Sequence, residues 1–376
     1  MKTNLVKPIL LTLLVLIVFY PLVCCSSEEA RQKAVLTESL QELLNSQIRG
    51  DIHSAFLLVD IPGKDFKFKS ASGEFAPGTN TPLDPDDMFR IASVTKTFTA
   101  TIVFQLIEEG KLSLDDTLDK YFPSELVDRI HVYEGESYGY QITIQHLLTH
   151  TSGLPDHAGP TSIERFIERI LGDPQHHWNP MEMVELSLEF SLKPHCKPSE
   201  EFHYSDDGFI LLGLIIEKVT GNALHEEYRS RIFEPLGMTQ IFLESYEELP
   251  PKGIAHPFIK DYDASEISGS VDWAGGGLVS NTENLDIFIN ALLDGKLFKN
   301  KETLEMMLEE GGYGYGIESR NFGDDLGYGH SGFWSTYMYK IPGKNITICA
   351  SLNQAYADGR KFLKKVWDLV TETLYQ

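Results

Sequence analysis

The chain opens with an almost wholly apolar run, Pro8–Val23, and then turns to amphipathic patterning that persists to its end. Between Glu28 and Arg49, Val35, Leu36, Leu40, Leu43, Leu44 and Ile48 recur at helical spacing and Gly50 supplies a stop, which predicts a one-faced helix. His53–Ile61 and Asp65–Ser72 read as two strands of a hairpin that turns at Pro62-Gly63-Lys64. Phe98, Ile102 and Leu106 fall at i, i+4 and i+8 before Gly110, predicting a helix entered through Arg90–Ala100. Ser113-Leu-Asp-Asp reads as a further capped helix start, and Ile142–Gly153 as a short helix with Thr143 as N-cap. Two helices are expected within Pro160–Leu192, a strongly apolar one over Gly208–Thr220, and another from Thr282 to Asp294. From Gly311 the pattern returns to β (GGYGYGI, Gly329–Ile341, Asn345–Leu352), and an amphipathic helix, Arg360–Tyr375, closes the chain. Strands at both ends with helices between them predict an α/β (α+β) fold: an antiparallel sheet built from N- and C-terminal segments, flanked by helices, with an inserted, mostly helical lobe. The expected boundaries are 35–92 and 265–376 for the α/β lobe and 93–264 for the helical one.

Composition adds little to that picture, but charge narrows it. The formal charge is −23 over 376 residues, with the acids scattered rather than in blocks, which argues against nucleic acid and against a basic membrane-binding surface. Cys196 and Cys349 read as free, buried cysteines rather than a disulfide framework. At the N-terminus, Lys2 and Lys7 precede the apolar run, and Cys24-Cys25-Ser26-Ser27-Glu28-Glu29 follows it at once. This predicts a secretory signal over residues 1–24, too short for a typical membrane span, and a tether over 25–34. Leu22-Val23-Cys24-Cys25 resembles the bacterial lipobox, which implies lipidation of Cys25 and a protein anchored in the cell envelope at a membrane, outer or surface. Its one departure is Cys24, where the pattern has Gly, Ala or Ser.

Three short stretches could carry chemistry. Ser93 and Lys96 lie three residues apart at a helix N-terminus, on one face, so the amine can reach the hydroxyl and activate it as a nucleophile. Tyr204, in Phe202-His-Tyr-Ser-Asp206-Asp207, precedes a helix that either aspartate can cap. A phenol near that helix end and near a lysine is expected to ionise more easily, as a base must. Gly332, in His330-Ser-Gly332-Phe333, lets a backbone pass close to a ligand, with N–H groups beyond it and His330 as a donor. His150, in LLTHTSGL, reads as structural. Gly135-Glu-Ser137-Tyr-Gly139 has the form of a hydrolase elbow but sits in a polar loop without the buried strand that motif needs. His176, His177 and His203 show no metal-ligand spacing, and no cofactor is expected.

Ser93-x-x-Lys96, Tyr204-Ser-Asp206 and His330-Ser-Gly332, in this order, resemble the serine β-lactamase and penicillin-binding-protein superfamily, nearest its class C branch with its esterases and D-amino-acid peptidases. IASVTKTFTA, GKLSLDDTLDKYFP, LLTHTSGLP, FHYSDDGFILLG, FEPLGM, AGGGLVS and GYGHSGFWS extend the likeness almost through the chain from Val35. The resemblance implies Ser93 as acylated nucleophile, Lys96 as its proton partner, Tyr204 as general base, and the N–H groups of Ser93 and Phe333 as oxyanion hole. Asp206, His330, Gly332 and Phe333 would then meet the substrate. Two departures stand out: Asp206 replaces an amide that binds the substrate's amide, and neutral His330 replaces a cation that holds a substrate carboxylate. Both favour an ester or D-aminoacyl amide or peptide substrate. The alternatives are a true class C-type β-lactamase and a silent relative that binds peptidoglycan fragments.

Overall fold

The computed structural model describes residues 28–308 and 312–375. Six strands form the main sheet: β1 (Ser54–Ile61), β2 (Phe66–Gly73), β3 (Glu318–Phe322), β4 (Asp325–Gly332), β5 (Thr336–Ile341) and β6 (Ile346–Ser351). Their order is β3-β4-β5-β6-β1-β2, every pair antiparallel. The N-terminal hairpin closes onto the C-terminal meander through β1 and β6, where Phe56 faces Ser351. The sheet is therefore assembled from both ends of the chain.

The near-continuous apolar run of β1 is explained by cover on both faces. Ala55, Leu57, Val59 and Ile61 pack with Leu36, Leu40 and Leu44 of α1 (residues 28–45) and Phe362, Val366 and Val370 of α5 (Gly359–Leu374). Phe56 and Leu58, on the opposite face, join the larger core with α2 (Thr95–Glu108), α3 (Asp206–Thr220) and α4 (Thr282–Leu293). α2 is buried nearly all round, so it shows little one-sidedness in sequence. Its threonines satisfy themselves on neighbouring carbonyls: Thr97 Oγ1 donates to Gly316 O (2.9 Å) and Thr99 Oγ1 to Ala274 O (2.7 Å). Phe98 stacks on Phe288 of α4 with ring centroids 3.6 Å apart.

Several expected elements are redrawn. Ser113 starts no α-helix: Asp116 accepts from the Ser113 N–H (2.9 Å) and from the Tyr121 hydroxyl, and Thr117 bridges Thr143, leaving only a 3₁₀ turn at Leu118–Lys120. The Thr143-capped helix ends at Leu148, and it is His150 that takes up a left-handed φ of 54°. Gly329–Ile341 is two strands, broken by a turn at 333–335 where Ser335 has φ 54° and its hydroxyl donates to Gln354 O (3.0 Å). The stretch 312–317 forms no strand, although Tyr313 bridges Glu318. Ser137 lies on an exposed two-residue strand of a small hairpin, unlike an elbow nucleophile. Cys196 and Cys349 are free and buried. The leader, the start of the tether and Cys25 fall on residues 1–27, outside the described residues, and among those described no helix is long and apolar enough to cross a membrane.

Phe98→Ala should remove a stacked pair at the centre of the larger core and cost about 3–5 kcal/mol. A urea unfolding curve checks this, and a midpoint unchanged from wild type would show that α2 is not anchored through this pair.

Candidate active site

Ser93 sits in a single 3₁₀ turn, Ala92–Val94, that runs directly into α2. Ala92 is held at φ 48°, a conformation an L-residue with a side chain rarely adopts outside functional turns. Lys96 follows one helical turn on, fully buried, and its Nζ lies 3.2 Å from Ser93 Oγ. Its other partners are Asp206 Oδ1 at 2.5 Å and Gly275 O at 2.7 Å. Three partners match the three hydrogens of an ammonium.

Asp206 is the first residue of α3, and neither it nor Asp207 caps that helix; Ser205 occupies the N-cap position. The two carboxylates diverge instead. Asp206 turns to Lys96, while Asp207 accepts from Ser187 Oγ (2.5 Å) and pairs with the His157 imidazole. Tyr204, just upstream, hydrogen-bonds Ser93, and its ring lies 5.1 Å from Lys96 Nζ. Contrary to the expectation from sequence, its phenol is pushed well above the usual tyrosine range. Burial is the main cause, the Asp206 carboxylate adds to it, and the Ser93 bond offsets only part. The residue that replaces the amide of the resembled motif is thus the one that opposes ionisation of the phenol.

The third stretch approaches from β4. A Cβ on Gly332 would lie 2.4 Å from Ile91 O, so only glycine lets this strand end pass against the Ser93 turn and present Phe333 beside it. His330 is buried, and its ring nitrogens are both engaged: Nδ1 faces Ser331 O at 2.7 Å and Nε2 the Tyr313 hydroxyl at 3.0 Å. Burial holds its pKa below the usual histidine value, although Glu318 opposes this. Ser93, Tyr204, Asp206, His330, Gly332 and Phe333 all line one cavity of about 670 Å³, whose far wall is aliphatic and aromatic: Ile163, Phe166, Ile167, Ile170, Ile267 and Val271. A half-buried hydroxyl beside an ammonium and a phenol, in the lining of a largely apolar pocket, is an arrangement for nucleophilic attack on a carbonyl.

Residues 45–371 match the profile of the Beta-lactamase family. The chain belongs to that family. Among curated relatives, "Penicillin-binding protein 4*" of Bacillus subtilis is 30% identical over 194 residues, 52% of this chain and 39% of the relative. "Protein flp" of Staphylococcus aureus is 31% identical over 54% of this chain and 38% of its own length. The match thus spans well under half of these curated relatives. Among solved structures, the D-amino acid amidase of Ochrobactrum anthropi SV3, complexed with L-phenylalanine amide, superposes with a TM-score of 0.73 at 25% identity, covering 90% of this chain and 97% of that one. A penicillin binding protein from Bacillus halodurans superposes with a TM-score of 0.72 at 25% identity, covering 88% and 99%. The β-lactamase/transpeptidase-like fold and a β-lactamase-like serine hydrolase are therefore shown.

The acids around this β-lactamase-family site carry no signal in the sequence pattern. Asp156 Oδ1 accepts from the Asp206 N–H (3.4 Å), and burial, reinforced by Asp206, lifts Asp156 up to about 7. Burial and then Asp206 also raise Asp272, to about 6. His157 would be lowered by burial, but the Asp207 carboxylate outweighs that and raises it to about 9. Asp156, His157 and Asp207 bring potential metal donors within 4.8 Å of one another, yet His157 Nδ1 and both Asp207 oxygens are already spent on each other and on Ser187. They form a buried ion pair. Tyr313 and Glu318, which complete the surroundings of His330, lie unmarked in GGYGYGIES, whose glycines read only as turn signals.

Because the folded pKa of His157 lies above its unfolded value, the ion pair stabilises the fold fully below about pH 6.5 and loses that contribution as pH rises through 9. Urea midpoints should fall between those values in wild type, and His157→Gln should abolish this part of the slope. An identical slope in the variant would contradict a charged His157.

Proposed function

We propose that this serine hydrolase works through an acyl-enzyme on esters or amides with an apolar acyl group, D-amino-acid amides among them, and that it does so in the cell envelope. The observation that carries the reading is the contact of Ser93 with both Lys96 and Tyr204 at the mouth of a cavity with an apolar wall. The likeness to a D-amino acid amidase supports the amide end of this range.

In the resting site Lys96 donates to Ser93 Oγ and stabilises the developing alkoxide, while Tyr204 holds its own proton. The small fraction of Tyr204 in its phenolate form takes the Ser93 proton as the Oγ–acyl carbon bond forms, with negative charge placed on the carbonyl oxygen. The main-chain N–H groups of Ser93 and Phe333 receive that charge. Collapse breaks the bond to the leaving group, which takes the proton back from Tyr204. Water then repeats the sequence: its proton goes to Tyr204, its oxygen to the acyl carbon, and Ser93 Oγ leaves and recovers a proton. Such a base makes turnover rise with pH.

Two features disfavour a β-lactam. His330 donates to main chain rather than into the cavity, and Asp206 places a carboxylate where an amide would bind the substrate. For the envelope, Cys25 beside the short apolar leader supports a lipid anchor, which metabolic labelling with a fatty acid, lost in Cys25→Ala, would test.

The soluble chain from Glu28 should hydrolyse p-nitrophenyl butyrate and D-phenylalanine amide, with Ser93→Ala lowering turnover by about 10⁴-fold or more. Nitrocefin should turn over poorly, and fast nitrocefin turnover would make this a β-lactamase instead. Absence of any acyl-enzyme by mass spectrometry would favour the silent binder. Asp206→Asn should move the alkaline limb of the ester pH profile to lower pH, since it removes the carboxylate that faces the phenol; an unmoved limb would exclude Tyr204 as the titrating base.

A further inference from the structure

Tyr313 is the member of the site that no motif accounts for. It lies in a segment tied to the helical part through Gly316 N–H to Leu148 O (3.0 Å) and facing β3 through its bridge to Glu318. Its hydroxyl lies 3.1 Å from His150 Nε2 and 3.0 Å from His330 Nε2, so one oxygen joins two histidines from different parts of the fold. Its ring packs edge-on against both imidazoles and against Tyr204, with centroids 4.7, 5.6 and 6.2 Å away.

The hydrogen bonds at the two ends fix every proton between them. The Ser205 N–H donates to His150 Nδ1 (3.1 Å), so the hydrogen of neutral His150 sits on Nε2 and points at Tyr313. At the other end, His330 Nδ1 faces the Ser331 carbonyl, which can only accept, so His330 carries its hydrogen on Nδ1 and offers a bare Nε2. Tyr313 is then left one role: it accepts from His150 and donates to His330. A phenol does both with one oxygen, and main-chain groups at the two ends, Ser205 N–H and Ser331 O, keep the direction from reversing. Beyond the relay, the Ser331 hydroxyl and the Tyr339 hydroxyl both donate to Glu318.

This relay backs directly onto the reacting groups. His150 stacks flat on Tyr204, centroids 4.1 Å apart at 28°, and it does so from a left-handed backbone that a non-glycine residue adopts only under constraint. We infer that Tyr313 is a positioning residue for this reaction: by bridging the two imidazoles, whose opposed tautomers the main chain sets, it holds His150, and through it the Tyr204 ring, beside Ser93 and keeps His330 Nε2 engaged away from the cavity. Tyr313 does not itself line that cavity, and acts through the two imidazoles.

The charged and titratable groups around this relay come from several elements. His330 faces Glu318 from β3, Lys96 from α2 and Asp206 from α3, besides Tyr313; His150 faces Lys96, His330 and His203. Lys96 disfavours a second positive charge on either imidazole, while Glu318, and to a lesser degree Asp206, favours one on His330. The Ser331 carbonyl leaves His330 Nε2 an acceptor, and the phenol is the donor that occupies it.

The test has two arms. In ¹⁵N-histidine-labelled wild-type protein at pH 7, long-range ¹⁵N–¹H correlation should show His150 protonated at Nε2 alone and His330 at Nδ1 alone; the same nitrogen protonated in both, or a doubly protonated ring, overturns the proposal. In Tyr313→Phe, which keeps the ring and removes the oxygen, kcat for p-nitrophenyl butyrate should fall about tenfold with KM little changed. Its kcat profile should gain an inflection on the acid side, as imidazoles no longer joined by the phenol take up a proton. An unchanged kcat and an unchanged pH profile in the variant would overturn the role. The first arm needs no substrate, so it stands even if the hydrolase reading fails, and it decides the matter should the variant not fold. The second arm rests on the acyl-enzyme reading, which Ser93→Ala tests separately.

Discussion

The buried charge of Lys96 is the constraint on which the site is built. An ammonium with no exposed surface must find oxygen on every hydrogen, because desolvation costs several kcal/mol for an ion left unpaired. Three elements therefore converge on it: Ser93 from the turn before α2, Asp206 from the start of α3, and Gly275 from the glycine-rich segment before α4. Each must hold its position within a few tenths of an ångström, and each is held by packing. α2 is locked by Phe98 on Phe288 and by threonines bonded to Gly316 and Ala274, so the helix that follows Ser93 also fixes the lysine's partners.

The sheet provides the second boundary. Strand β4 comes close enough to the Ser93 turn that Gly332 abuts the Ile91 carbonyl, and Thr336 donates to Arg90 O (3.3 Å). β4 itself is positioned through β5 and β6 by β1, from the other end of the chain. The Ser93 turn thus lies at the seam between a sheet that needs both termini and a helical mass inserted between them. The cavity opens there, lined by residues of the larger core such as Phe166, Ile210, Ile267 and Trp334.

Much of this arrangement is legible in the amino-acid sequence alone. The hairpin, the helix after Ser93 and the closing helix follow from period and turn residues, because each buries one consistent face or sits between strong breakers. The three motifs are legible because chemistry restricts their residue types and spacing. Sequence and structure part where a side chain overrides the local pattern. Asp116 captures the Ser113 amide and the Tyr121 hydroxyl, so a capped start becomes a turn. Asp206 and Asp207 leave the helix end for Lys96 and His157, partners about 110 and 50 residues away that no local window contains. For Tyr204 a lysine neighbour alone points to an easily ionised phenol; burial, a tertiary fact, together with the Asp206 carboxylate two residues on, reverses the direction of the shift. His150 and Tyr313 carry no signal of their own, since a histidine or a tyrosine becomes informative only once its neighbours are known.

The same convergence of charges argues, within the proposed function, against an anionic substrate. Cations near the cavity are already committed: Arg90 gives Nε and one terminal nitrogen to Glu244 and another to Ala264 O, His157 is paired with Asp207, and Lys96 is saturated. Asp156, Asp206, Asp272 and Glu318 line the same space. A substrate carboxylate brought within about 4 Å of one ionised member meets a repulsion of about 4 kcal/mol at an effective dielectric of about 20, which the affinity of a typical small substrate does not readily absorb. A neutral ester, or an amide whose free amine is positive, meets no such barrier, and the aliphatic wall from Ile163 to Ile170 rewards an apolar acyl group. Under the proposed function, an aspartate where the resembled motif has an amide and a histidine where it has a cation act in one direction: both favour neutral or cationic acyl donors over anionic ones.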